Sequence, residues 1–273
     1  MRQNLHTHSV YCDGIDSLDH MCEKAGEKGF DILGFSGHSY INEDETWAMS
    51  IEGTRSYIEE VRKLQKAYAG KMEIFLGIEE DSLNRLSVKE PFEFVIGSVH
   101  FLRHKGMALP VDYNSGILEY MQDAWYSGSF VKMAEDYYAD IRQMRTWDEV
   151  DIVGHLDLIT KFNEDESFIR FDDPAYVRAA TDTVDAFAGV KIMEVNTGAI
   201  GRGYRKTPYP YRNLLEYMHA KNVQICLNSD CHNAEWLDCS FAESLELIKA
   251  CGYTAMMKKT KEGFEETDID LFR

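Results

Sequence analysis

Short apolar, β-branched runs alternate with amphipathic stretches along most of the chain. The runs are "DILGFSGH", "EIFLGIEED", "FEFVIGSVH", "DIVGHLDLI", "VKIMEVNTG" and "VQICLNSDCH". Between them, apolar positions at helical spacing predict helices over residues 17–28, with Ser17 or Asp16 as N-cap, and over 54–69, roughly 115–145, 173–188, 210–221 and 240–251. Repeated strand–helix order predicts a parallel sheet with its helices outside. Seven or eight such units suggest a closed or nearly closed barrel of the TIM type, with an open doubly wound sheet as the alternative. Neither G-x-G-x-x-G nor G-x-x-x-x-G-K-[ST] is present, so no nucleotide-binding fold is indicated. No Pro/Gly-rich linker splits the chain, and a single domain spanning 1–273 is expected. Residues 40–53 and 103–130 are the least regular and read as loops, with some helix, around a site. The acidic tail "KEGFEETDIDLFR" reads as surface.

Composition narrows the function classes. With 47 acidic against 29 basic residues the formal charge is -18, which argues against broad binding to nucleic acid or anionic membrane. A phosphate substrate stays compatible, because bound divalent ions reverse the local field. No run of about 18 apolar residues predicts a spanning helix, and the polar start does not read as a secretory signal. The six scattered cysteines, with no C-x-x-C pair, read as reduced thiols of a cytoplasmic protein.

The chemistry lies at the ends of the strand-like runs. The first run ends in "HTH": in an extended segment His6 and His8 share a face and Thr7 turns away. Later runs end in His38, in Glu79, Glu80 and Asp81, in His100, in His155, and in Asp230 and His232. Parallel α/β barrels gather their catalytic groups at the C-terminal ends of the strands, and six of the nine histidines fall there. His20 and His219 fall in helices and His104 lies just past a strand. Mixed imidazole and carboxylate donors suit Zn, Fe or Mn better than Mg or Ca. The candidates are too many for one four-coordinate ion, so two or three metals bridged by a carboxylate are expected. Strand alternation turns Cys231 away from Asp230 and His232.

"HTHS…DG", "GHS", "GIEED", "GSVHFL", "GHLDLI" and "NSDCH", in this order over nearly the whole chain, resemble the motifs of the PHP (polymerase and histidinol phosphatase) superfamily. "GSVHFL", "GHLDLITKF" and "EVNTGAI" are most similar to its histidinol-phosphate phosphatases. The resemblance implies a distorted, TIM-like (β/α)7 barrel with a trinuclear metal centre. It implies His6, His8, Glu79 and Asp230 on one metal, and Glu79 bridging to a second held by His100 and His155. Asp13, His38 and His232 would hold the third; some relatives carry histidine at the position of Asp13, so that site would differ in strength or metal.

A centre of this kind suits phosphomonoester hydrolysis, and the resemblance implies L-histidinol phosphate and water going to L-histidinol and phosphate, in histidine biosynthesis. The substrate dianion needs further cations. The glycine-rich stretch "NTGAIGRGYRK" offers Arg202 and Arg205 ahead of Lys206, and "DLITKF" offers Lys161. Asp230 or His232 could shuttle a proton to the leaving oxygen. The loop "YINEDETW", with Trp125 and Tyr126, could house a cationic amine and an imidazole. Competing readings are a phosphoesterase for another small ester or nucleotide, an amidohydrolase, which leaves Glu79, His38 and His232 without roles, and a non-catalytic metal-binding module. The expected partner is a small phosphate monoester; the sequence does not address oligomeric state.

Overall fold

The computed structural model describes residues 1–42, 46–86 and 89–273. Seven strands run parallel in the order β1 (Gln3–Asn4), β2 (Ile32–Phe35), β3 (Glu73–Asp81), β4 (Phe94–Ser98), β7 (Ile152–Val153), β8 (Ile192–Asn196) and β9 (Ile225–Asn228). A hairpin, β5 (Phe101–His104) and β6 (Met107–Pro110), interrupts the series after β4. Helices α1 (Leu18–Glu27), α2 (Ile51–Ala67), α3 (Ser115–Tyr126), α4 (Phe130–Gln143), α5 (Pro174–Phe187), α7 (Arg212–Ala220) and α8 (Phe241–Ala250) form the outer layer, and α6 is one short turn (Gly198–Gly201). The caps explain several boundaries. Ser17, Ser50 and Asp173 accept backbone N–H groups at the starts of α1, α2 and α5, and Pro174 opens α5 without needing a donor of its own.

The ring of strands is closed by side chains more than by a ladder. Between β1 and β9, Asn4 Nδ2 donates to Ser229 Oγ (2.6 Å) and Leu5 N–H to Asn228 Oδ1 (2.8 Å). One parallel bridge, Thr7 to Cys231, follows, and there His8 N–H donates to the Cys231 carbonyl (2.9 Å). The molecule is therefore the distorted, nearly closed seven-stranded barrel expected from the sequence.

Alternation along β3 sorts two apolar layers. Ile74, Leu76 and Ile78 face the helices in the large outer core. Phe75 points into the barrel, where Leu5, Ile32, Phe94, Ile96, Ile152, Ile192, Cys226 and Met257 fill the lumen. Phe94 is the plug: a Cβ on Gly77 would lie 2.2 Å from its ring, so only glycine leaves room for it. Above this plug the inward positions turn polar, and the mouth of the barrel opens.

One expectation needs correction. The helix placed over roughly 115–145 is two helices, because Ser127 (φ +55°) and Gly128 (φ +80°) turn left-handed and Ser129 caps a new helix at Lys132 N–H. The acidic tail lies mostly on the surface, as expected, and also forms half of a hairpin. Its strand β11 (Gly263–Asp268) is largely exposed, but it pairs antiparallel with β10 (Ala255–Thr260), whose Met257 closes the lumen from below. Gln3 fastens that hairpin, accepting from Lys259 N–H (2.8 Å) and donating to the Met257 carbonyl (3.1 Å). All six cysteines are unpaired. Among the described residues, no helix is long and apolar enough to cross a membrane.

Candidate metal centre

The same alternation that puts Phe75 in the lumen puts Glu79 at its mouth. Five imidazoles converge on this one carboxylate. His6 Nε2 (3.1 Å), His8 Nε2 (3.5 Å) and His38 Nδ1 (2.9 Å) face Oε2; His100 Nε2 (3.5 Å) and His155 Nε2 (3.1 Å) face Oε1. Ser98 Oγ donates to Oε1 at 2.6 Å. Asp230 closes the other side, with Oδ1 at 3.1 Å from His8 Nε2 and 3.6 Å from His6 Nε2. His6 and His8 are fully buried on a common side, while Thr7 turns away to donate to the Gly34 carbonyl (2.8 Å).

A second group lies beside the first. Asp13 stands 3.1 Å from His232 Nε2 and 3.7 Å from both His8 Nδ1 and His38 Nε2. The structure thus joins His8 to the trio expected there, and groups His38 with Glu79 and His100 as well. Within each such group, one donor atom per residue lies within 4.8 Å of the others. His8 and His38 sit between the groups and present one ring nitrogen to each.

Electrostatics distinguishes the members. Burial alone would raise the pKa of Glu79, but His6, His38, His100 and His155 outweigh it and hold the carboxyl well below its usual range. Burial, with His232 and His38 nearby, pushes His8 down to about 3, so its ring is a neutral donor. Burial also works against a charge on His100, yet Glu79 and Asp81 raise it to about 9. His6 is raised too, against burial, by Glu194, Glu79 and Asp230. Such a cluster holds protons where it could hold cations. Divalent metals fit it: His6 Nε2, His8 Nε2 and Glu79 Oε2 are buried, aimed at one another and, among the described residues, without a hydrogen-bond partner.

The centre opens into a cavity of about 420 Å3. Asp13, His38, His100, His155, Asp230 and His232 form its floor, Trp47, Phe101 and Tyr113 an aromatic wall, and Asp112, Lys161 and Arg202 a charged one. Arg202 Nη2 donates to Asp230 Oδ2 (3.0 Å), and Nη1 lies 3.1 Å from His232 Nδ1. Gly198 makes this pair possible, since a Cβ there would lie 2.8 Å from Asp230 Oδ2 and 2.9 Å from Arg202 Nη2. Asp230 itself is left-handed (φ +47°), a strained conformation for a non-glycine residue. Lys161 Nζ donates to the Asp112 carbonyl (2.7 Å) and lies 4.8 Å from the Tyr204 ring centre.

Other expected residues fall elsewhere. Arg205 is buried outside the cavity, donating to Thr160 Oγ1 (2.9 Å), 3.7 Å from Asp157 and over the Tyr209 ring. Trp125 stacks on His104, and Tyr126 is buried in the outer core, so neither lines the cavity. Of the loop "YINEDETW", Thr46 and Trp47 do line it, while Glu43, Asp44 and Glu45 lie outside the described residues. His20 is on the surface of α1, and His219 packs on Tyr253. Cys231 is turned toward Asn4. Sequence reasoning assigned no role to Asp81, which accepts from His100 N–H (3.0 Å) and lies 2.9 Å from its Nδ1, or to Glu194, 2.7 Å from His6 Nδ1. A lone carboxylate inside the apolar run "VKIMEVNTG" was the available signal for Glu194.

Residues 4–198 match the family described as PHP domain. The chain belongs to the PHP domain family. Asp230 and His232 lie beyond the matched segment, as does β9, yet the fold brings them to the same centre. Among curated relatives, a Deinococcus radiodurans protein named "Probable histidinol-phosphatase" is 27% identical over 260 residues, covering 90% of this chain and 92% of its own. One of the same name from Schizosaccharomyces pombe is 23% identical over 288 residues, covering 94% and 90%. Two crystal structures share the fold. A candidate histidinol phosphatase (hisK) of Listeria monocytogenes superposes with a TM-score of 0.77 at 18% identity, over 89% of this chain and 99% of that one. The histidinol phosphate phosphatase of Lactococcus lactis subsp. lactis, in complex with zinc, L-histidinol and phosphate, gives 0.72 at 19% identity, over 97% and 98%.

Proposed function

We propose that this chain is a metal-dependent phosphomonoesterase that hydrolyses L-histidinol phosphate to L-histidinol and phosphate, acting as one domain over residues 1–273 in the cytoplasm. The observation that carries the reading is the convergence of five imidazoles on Glu79 beneath a cavity that also holds Lys161 and Arg202. The names of the relatives, and the ligands of the Lactococcus enzyme, support the choice of substrate.

In this reading His6, His8, Glu79 and Asp230 hold one divalent ion, Glu79, His100 and His155 a second, and Asp13, His38 and His232 a third, with His8 close enough to contribute. Bound Zn, Fe or Mn ions would acidify a water and neutralise phosphoryl oxygens. The chain's own groups do the rest. Arg202 offers a planar fork to the oxygens left free, and Lys161 adds a point charge on the same wall. Arg205 has no part in that clamp, since its guanidinium belongs to the Asp157 cluster. Trp47, Phe101 and Tyr113 offer faces to an imidazole ring, and Asp112, whose carboxylate pairs with Lys161 at 3.1 Å, would exchange that partner for a substrate amine. His232, oriented by Asp13, or Asp230 beside it, would take up the proton given up by the attacking water and pass it to the leaving oxygen.

The test is a phosphatase screen of metal-loaded protein against a panel of small phosphate esters and nucleotides that includes L-histidinol phosphate, with elemental analysis of protein never exposed to chelator. We expect two to three transition-metal ions per chain and a clear preference for L-histidinol phosphate. Metal-free yet active protein would overturn the metal reading; preference for a nucleotide or a generic aryl phosphate would overturn the substrate alone.

A further inference from the structure

Glu194 lies on β8, inside the barrel wall and one layer below the centre, with no exposure to solvent. It does not line the cavity above the centre, and four donors from four strand regions end on its two oxygens. His6 Nδ1 (2.7 Å) and Asn228 Nδ2 (2.8 Å) meet Oε1. The backbone N–H of His155 (2.9 Å) and Asn196 Nδ2 (2.8 Å) meet Oε2. We infer that Glu194 is the positioning residue that spaces the metal centre: one carboxylate fixes the ring of His6 on one side of Glu79 and the backbone that carries His155 on the other.

A carboxylate can only accept, so the His6 nitrogen facing it must carry the proton. In the neutral ring that leaves the lone pair on Nε2, which points at Glu79 Oε2 and Asp230 Oδ1 and, among the described residues, has no hydrogen-bond partner. The second oxygen acts on the main chain of His155, whose Nε2 reaches Glu79 Oε1. His6 and His155 thus meet opposite oxygens of Glu79, and their separation is set from below by a single rigid group. Asn196 and Asn228 complete the four acceptor directions, so the carboxylate has no room to turn.

The inference rests on the proposed ligand roles of His6 and His155, and its test separates the two. Glu194→Gln keeps the shape but sets an NH2 group against two of the four donors. Mn2+ or Zn2+ alone is titrated into chelator-stripped wild type and variant, and the His6 ring is followed by 15N NMR. Expected are a loss of roughly 10- to 100-fold in affinity for the tighter ions, a change in which His6 nitrogen carries the proton, and a smaller rise in Tm on metal addition than wild type shows. Glu194 as mere packing would lower the metal-free Tm and leave metal affinity and the His6 signals unchanged; that result overturns the inference. Wild type that binds no metal overturns the ligand roles instead. If Glu194→Gln does not fold, Asn196→Ala decides: removing one restraint on the carboxylate while leaving the β1–β9 seam intact should weaken metal binding severalfold, and unchanged affinity would refute the positioning role.

Discussion

Glu79 and Glu80 are neighbours on β3, both are buried, and their chemistry is opposite. Glu79 faces the lumen, meets five imidazoles, and is held ionised. Glu80 faces the helical layer. One of its oxygens accepts from Leu86 N–H and, among the described residues, the other has no partner. Burial pushes its pKa up to about 8, with Glu149 adding to the shift; the Leu86 bond and Arg85 oppose it too weakly. Composition and strand are the same for both. A single step of the pleat decides whether a buried carboxylate gathers cations or keeps its own proton. The two faces of β3 should therefore respond to mutation in different currencies: the inner in metal and turnover, the outer in stability.

The sharpest break of that comparison is Glu79→Ala. With the shared carboxylate gone, two cations would repel each other with too few ligands, and five imidazoles would lose their common counter-charge. We expect metal content to fall and kcat/KM to drop by more than about 1,000-fold, beyond the roughly 10- to 100-fold of a partner that only supports a ligand. Asp13→Ala should cost less, about tenfold, because Asp13 is 32% exposed and serves one group only. Elemental analysis beside steady-state kinetics orders the two; comparable turnover in both variants would reject Glu79 as the shared ligand.

The next contrast lies in one loop. Arg202→Ala should lower kcat/KM by roughly 30- to 1,000-fold, the value of a charge-assisted contact of about 2–4 kcal/mol. A fall mainly in kcat would mean that the fork acts on charge appearing only in the transition state; a rise mainly in KM would mean equal grip before and during reaction. Arg202→Lys should recover part of the loss. Arg205→Ala should change kcat/KM by less than about threefold while lowering stability by about 3 kcal/mol, because it leaves Asp157 unpaired in the core. Kinetics and urea unfolding of the same variants measure both quantities.

That contrast also marks where sequence reading ends. The candidate ligands other than Asp13 were legible because each closes a strand-like run, and strand ends of a parallel barrel share one rim. Arg202 and Arg205 carry the same charge three residues apart, and only the turn at α6 sends one to the cavity and the other behind it. Glu194 sits in mid-strand, where the strand-end rule does not look. The break at Ser127–Ser129 was written in the sequence as "SGS", a turn signal lying inside a longer helical period. The terminal hairpin escaped because the charges of "MKKTKEGFEETD" conceal the alternation that lets Met257 reach the lumen.

The mildest effect tests the outer face alone. The folded pKa of Glu80, about 8, lies above its ordinary value of 4.5. Between these values the folded carboxyl keeps its proton and the unfolded one has lost it. Its contribution is therefore full below about pH 4.5 and is lost as the pH rises through about 8. Glu80→Gln keeps an acceptor for Leu86 N–H and removes the titration. Chelator-treated wild type should lose on the order of 2 kcal/mol relative to the variant between about pH 5 and pH 8.5. Urea unfolding of both proteins across that range reads the difference directly. Parallel curves would mean that Glu80 ionises inside the fold at no cost, and that the two faces of β3 are less different than their surroundings indicate.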